Sequence, residues 1–281
     1  MSALTLGLIA AFMWGFHDIC VRFVSQKTPL MASLLMVISV GFLFQLTLII
    51  RTQAPLTLPK EALYYAIISG LFFLVASLGL YGAFQRGPVK LVSPIIASFP
   101  ILSVGWAAAR GTHVSALEWL AVLLVIAGVS IVAALSDDAT AETPPRGKTI
   151  LYSVIASIGF AGTFAIGQLG SEIADEGTVT LFTRITAIIL LVVGMLALKL
   201  EFWPGKSALL LLTLMGLADG IALYAIISAG GMEDAQYASL AASTFGLLTI
   251  VLAWIFLKEK MTGMQWFGCA ITFAAIGYLA V

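Results

Sequence analysis

Ten times along this chain an apolar run returns, each about as long as the 20 residues a helix needs to cross the hydrocarbon core of a bilayer. The runs fall at 3–24, 30–50, 62–85, 89–109, 116–135, 149–170, 178–200, 207–229, 235–257 and 263–281. Turn or charge clusters separate them, such as Ser25-Gln26-Lys27-Thr28-Pro29, Arg86-Gly87-Pro88 and Lys258-Glu259-Lys260. The pattern predicts an all-α integral membrane protein with ten transmembrane helices. Composition agrees. Only 10% of the residues are charged, against about a quarter in a soluble domain, and the mean hydropathy is +1.08. These figures exclude a soluble enzyme, a disordered chain and a nucleic-acid binder, which would carry a basic stripe.

The connections are too short to hold a nucleotide-binding domain, and no Gly-rich phosphate loop ending in Lys-Ser/Thr occurs, so direct ATP drive is not expected. Cys20 and Cys269 lie in apolar runs, where a thiol behaves as a small hydrophobe, and two cysteines make no disulfide framework. The first run lacks a basic leader and a small-residue cleavage site, and is read as a retained span. His17 and His113 are the only histidines and fall far apart, so neither a Ser-His-Asp constellation nor a metal site is expected, and no cofactor is implied.

The longest polar linker, 136–148, divides the chain into five-span segments at 1–135 and 149–281. Ser115-Ala-Leu-Glu-Trp119 matches Thr262-Gly-Met-Gln-Trp266, and Leu80-Tyr81-Gly82 matches Leu223-Tyr224-Ala225. Five is odd, so the second copy enters the membrane from the opposite face. The expectation is a pair of inverted five-helix repeats, the plan of many secondary transporters, with substrate held near the midplane between the copies. A duplicated receptor or scaffold would share this pattern.

Ten spans in two repeats, Met13-Trp14-Gly15 in the first helix, Arg184 early in the seventh, and Leu257-Lys258-Glu259-Lys260 closing the ninth together resemble the drug/metabolite transporter superfamily, EamA branch. The resemblance covers nearly the whole chain and is nearest to YddG-type exporters of aromatic and other neutral amino acids. It implies a monomeric, multi-pass protein of a bacterial inner membrane, working on a small molecule in a lipid bilayer without nucleic acid. Gly111-Thr112-His113 departs from it, standing where an acidic residue often follows Gly.

Sorted by alternate loops, Arg22, Lys27, Arg86, Lys90, Arg146, Lys148, Lys199, Lys206, Lys258 and Lys260 share one face, against Arg51, Lys60 and Arg110 on the other. The positive-inside rule then puts both termini outside, whereas family habit puts them inside.

Each charge within a span costs about 2.5–3.5 kcal/mol on insertion scales and needs a reason. Asp18, Arg22, Arg184 and Asp219 are the candidates for proton coupling or for ion pairing. Asp18 could pair with Arg22 one turn away or with Arg184 on a packed neighbour, or carry protons together with His17. Asp219 has no basic residue in its own span and lies in Gly216-Leu-Ala-Asp-Gly220, a spacing that favours close helix approach.

Ser93, Pro94, Ser98 and Pro100 fall in the fourth span, where the prolines remove backbone donors and mark a hinge. The ninth span answers with Ser239, Ser243 and Gly246, and these hydroxyls are candidates for the polar ends of an amino acid. Trp14, Tyr81, Phe160, Phe164 and Tyr224, with His17, are candidates for the cavity wall; Trp14 lies mid-span and needs a partner for its indole N–H. The resulting reading is a secondary transporter that exports neutral or aromatic amino acids by alternating access, rather than an enzyme. A proton-coupled multidrug cation exporter, an uncoupled facilitator and a non-transporting scaffold are its rivals.

Overall fold

A computed structural model describes residues 2–109, 114–135, 146–229, 232, 238 and 241–279, and helix is the only regular structure among them. The helices are α1 (Ala3–Val24), α2 (Leu30–Thr52), α3 (Lys60–Arg86), α4 (Val89–Ala97), α5 (Pro100–Ala109), α6 (Ala116–Ala134), α7 (Arg146–Ser171), α8 (Glu176–Ala197), α9 (Leu209–Ser228), α10 (Phe245–Leu252) and α11 (Gly263–Leu279). Among the described residues, six helical segments are long and apolar enough to cross a membrane, and shorter apolar helices occupy Val89–Leu102, Ala116–Val132 and Phe245–Leu257. Large apolar side chains such as Leu43, Ile50, Leu123, Val193, Leu196 and Leu210 are exposed on the outside, a surface whose solvent is lipid rather than water.

Local signals set the helix ends. Pro29, Pro59 and Pro88 stand just before α2, α3 and α4, where a missing N–H costs no helix bond. Asp175 accepts from Thr178 N at 2.8 Å and starts α8. The two segments matched by sequence both close as reciprocal capping boxes. Ser115 N donates to Glu118 Oε2 at 2.6 Å and Glu118 N to Ser115 Oγ at 3.2 Å. In the second, Thr262 N donates to Gln265 Oε1 at 2.9 Å and Gln265 N to Thr262 Oγ1 at 3.2 Å. The helices they open, α6 and α11, pack against each other.

Two of the expected continuous spans are broken. The run at 89–109 divides between α4 and α5 at Ser98-Phe99. Pro94 lies inside α4, and the break comes four residues later, ahead of Pro100. The run at 235–257 is described from 241 onward; it turns at Ser243-Thr244 without any proline, and ends in a π-helical turn, Ala253–Leu257.

Packing joins the first and second halves of the chain throughout. Helix α3 lies against α7 and α8, and α9 against α1 and α2. The α3–α7 contact is close enough that a Cβ on Gly159 would fall 2.7 Å from Ala76 Cα. The connections gather at two ends. At one, Gln26 Nε2 donates to Gln85 O at 2.9 Å, and Gln265 Nε2 to Leu135 O at 3.0 Å. At the other, Thr178 Oγ1 donates to Pro55 O at 2.6 Å, and Ser171 Oγ to Ile227 O at 2.8 Å.

The first end also carries a cap supplied from far along the chain. Helix α4 has no side-chain cap of its own. Glu259, just after the π-helical turn, accepts from Val89 N at 2.9 Å and Lys90 N at 3.1 Å, while Lys90 Nζ donates to Lys260 O at 3.0 Å. A carboxylate on a helix N-terminus satisfies donors and opposes the dipole. Glu259→Ala is expected to cost about 1–2 kcal/mol, read as a lower thermal midpoint in detergent. An unchanged midpoint would show the cap to be idle.

Candidate functional site

Helical spacing builds one wall at a time. On α1, Trp14, His17 and Asp18 stand at i, i+3 and i+4; on α2, Leu34, Val37 and Ile38 repeat that spacing. Helix α3 contributes Phe73, Ser77, Leu80 and Tyr81, and α7 contributes Phe160 and Phe164 one turn apart. Residues so spaced share one helix face. Asp219 of α9 and Phe245 of α10 complete the ring. The space between them is about 20 Å³, room for about one water molecule.

The aromatic side of this cavity is a stack. Trp14 lies on Phe164 with centroids 5.2 Å apart and planes at 24°, and Phe160 stacks on Phe164 at 5.6 Å. Phe245 meets Trp14 edge-on at 6.1 Å, and Phe99 meets Phe164 edge-on at 5.2 Å.

The polar side has two separate networks. In the first, Arg184 Nη1 donates to Asp219 Oδ2 at 2.8 Å and Nη2 to the Asp219 carbonyl at 2.9 Å. The Trp14 indole N–H donates to the other carboxylate oxygen at 3.2 Å. The guanidinium also lies over the Phe73 ring, 5.3 Å from its centroid. Arg184 is 0% exposed, and Gly41 of α2 makes its space, since a Cβ there would overlap Nη1. In the second network, Asp18 Oδ1 lies 3.0 Å from His17 Nδ1, and His17 Nε2 lies 3.3 Å from the Tyr81 hydroxyl. With Asp18 ionised, Nδ1 carries the proton that faces it, leaving Nε2 to accept from the phenol. Asp18 Oδ2 is buried without a hydrogen-bond partner among the described residues.

Trp14, His17, Asp18, Tyr81, Phe160, Phe164 and Asp219 thus converge, and Trp14 finds its indole partner in Asp219. Other sequence candidates lie elsewhere. Arg22 pairs with neither Asp18 nor any other carboxylate among the described residues; it donates to Phe84 O at 2.7 Å, because the end of α3 offers carbonyls that no helix turn satisfies. Arg184 pairs with Asp219 rather than with Asp18. Tyr224 is five residues beyond Asp219, about 140° further round α9, and sits near Ser228 and Glu176 instead. Ser98 donates to Ile95 O at 2.7 Å. Ser93 is buried in α4 with its hydroxyl unpartnered among the described residues, and Ser243 is buried; neither lines the cavity. Ser239 and His113 lie outside the described residues.

Sequence reasoning missed Phe73, Ser77, Phe99 and Phe245. Phe73 and Ser77 stand two turns and one turn before Tyr81, a spacing the sequence displays. Phe99 and Phe245, at the elbows where the two broken runs turn, carry a local signal as well, since Ala-Ser-Phe-Pro at 97–100 parallels Ser-Thr-Phe-Gly at 243–246.

A lipid-facing bundle around a buried, mixed polar and aromatic cavity defines a multi-pass membrane protein. The chain belongs to the EamA-like transporter family, whose pattern matches it twice, over residues 1–134 and 147–281. It is therefore a membrane transporter of small molecules. It is also similar to an uncharacterized protein of Methanocaldococcus jannaschii, 29% identical over 103 residues, which are 37% of this chain and 74% of that one. A crystal structure of a protein 15% identical in sequence has the same fold, with a TM-score of 0.74 over 99% of this chain and 97% of that one.

Proposed function

We propose that the protein is a secondary transporter exporting small amine-bearing metabolites, neutral and aromatic amino acids foremost, by alternating access across ten spans arranged as two inverted repeats. One observation carries the substrate class. Asp18 faces the cavity and keeps one carboxylate oxygen without a partner among the described residues, beside a wall of stacked rings. A buried carboxylate needs a cation or a donor, and an ammonium group with an aromatic body supplies both that and a match to the stack. In an opened cavity the substrate ring would lie along Trp14 and Phe164, with the Ser77 hydroxyl at hand for the substrate carboxylate. Arg184 is not offered to an anion, because Asp219 already holds it. The cavity as it stands is smaller than any amino acid, so the helices around it must part to admit substrate.

The same free oxygen also suits a plain organic cation, the second reading. Purified protein in liposomes, loaded with phenylalanine or with phenethylamine, separates the two. Downhill flux of phenylalanine supports the amino-acid reading. Flux of phenethylamine alone supports the cation reading, and flux of neither, with the protein inserted and folded, overturns both.

A further inference from the structure

Phe245 lines the cavity and Phe99 packs edge-on behind its Phe164 wall, and both side chains ride on the elbows where the two broken runs turn. At each elbow a hydroxyl turns back to the carbonyl three residues earlier: Ser98 Oγ donates to Ile95 O at 2.7 Å, and Thr244 Oγ1 to Ala241 O at 2.6 Å. The next residue is a buried phenylalanine, Phe99 or Phe245. After it comes Pro100 or Gly246, which weaken a helix by different means. The backbone bonds are of the tighter i→i−3 kind and long, with Phe99 N to Ile96 O and Gly246 N to Ser243 O both at 3.3 Å.

The two rings hold matching positions. Phe245 meets Trp14, and Phe99 meets Phe164, each with planes at 73°, so each member of the Trp14–Phe164 stack carries one of them. The elbows also touch. A Cβ on Gly246 would fall 2.7 Å from Ala97 Cβ and 3.1 Å from Ser93 O, so the two elbows pack directly on each other.

We propose that Phe99 and Phe245 are paired specificity-determining residues, one on each elbow, which set the largest ring the cavity accepts. The inference rests on the site proposed above. Trp14 and Phe164 sit on regular helices whose backbone bonds resist displacement, whereas a ring carried by a short i→i−3 turn moves at lower cost. The elbow rings therefore yield to substrate, and their bulk decides how far.

Two measurements test this on Phe99→Ala, Phe245→Ala and the double variant, with Phe→Leu at each position as the version that preserves packing. In liposomes, the ratio of tryptophan to phenylalanine flux is expected to rise at least about fivefold in each alanine variant, through a lower KM for the larger amino acid, and further in the double. An unchanged ratio in variants that still transport overturns the proposal while leaving the transport reading intact. If the wild type moves neither amino acid, the transport reading fails and the size reading is decided by labelling. Ser77→Cys, in a background with Cys20 and Cys269 replaced by serine, is exposed to a small and to a benzyl-sized methanethiosulfonate. The benzyl reagent is expected to gain selectively when either phenylalanine is trimmed, and equal rates before and after trimming overturn the proposal.

Discussion

Replacing Arg184 by alanine is expected to destabilise the protein by about 3–5 kcal/mol, the usual cost of stranding one partner of a buried ion pair. Ordinary interhelical hydrogen bonds in membranes contribute about 0.6 kcal/mol each, so this one side chain outweighs several of them. The reason is geometric. Asp219 lies mid-helix in α9 and receives Arg184 twice, on its carboxylate and on its own carbonyl, with Trp14 on the remaining oxygen. Without the guanidinium, a carboxylate stays in a low-dielectric interior with one indole N–H to answer it. Gly41→Ala is expected to act on the same pair from the other side, because its Cβ would occupy the position of Nη1. The double variant Arg184→Leu with Asp219→Leu is expected to recover most of the loss, since an apolar pair avoids the desolvation cost. Thermal unfolding in detergent reads all three. An Arg184→Ala midpoint equal to that of the wild type would remove the pair from any account of stability.

That pair also shows where the sequence was legible and where it stopped. Arg184 and Asp219 stood out as charges inside apolar runs, but nothing in one dimension says that α8 and α9 bring them together. Spacing left Arg22, one turn from Asp18, and Arg184 both open as its partner; Arg22, a long side chain near a helix end, instead reaches the carbonyls at the end of α3. The family's membrane character was written in the apolar runs, and the two capping boxes could be read from Ser115-Ala-Leu-Glu and Thr262-Gly-Met-Gln before any coordinates. The breaks could not be placed as well. Two prolines marked the fourth run as irregular, yet the chain tolerates Pro94 within α4 and turns at Ser98-Phe99, where side-chain hydroxyl and proline act together. The ninth run turns at Ser243-Thr244 with no proline, a turn held by Thr244 and by packing against α4. Tyr224 illustrates the remaining gap: a matched dipeptide in two helices does not fix which way each helix faces its neighbour.

The second large effect falls on transport rather than on folding. Asp18→Asn keeps the shape of the side chain and removes the charge that faces the cavity. Asparagine can still accept from His17 Nδ1, so the link to Tyr81 persists and the thermal midpoint is expected to stay close to that of the wild type. What is lost is the anchor for an ammonium group. A hydrogen bond to a charged group contributes about 1.5–3 kcal/mol, which at about 1.36 kcal/mol per factor of ten is roughly a tenfold to hundredfold rise in KM for phenylalanine. Asp18→Glu, with the charge retained on a longer arm, is expected to fall between the two. A purely structural role would show the opposite pattern, a lowered midpoint with KM unchanged. Asp219→Asn supplies the contrast, because its charge is spent on Arg184: stability should fall there first, and any loss of flux should follow the loss of folded protein. If Asp18→Asn transports phenylalanine with the wild-type KM, the free carboxylate oxygen is not where the substrate is held, and the amine-bearing substrate class loses its support.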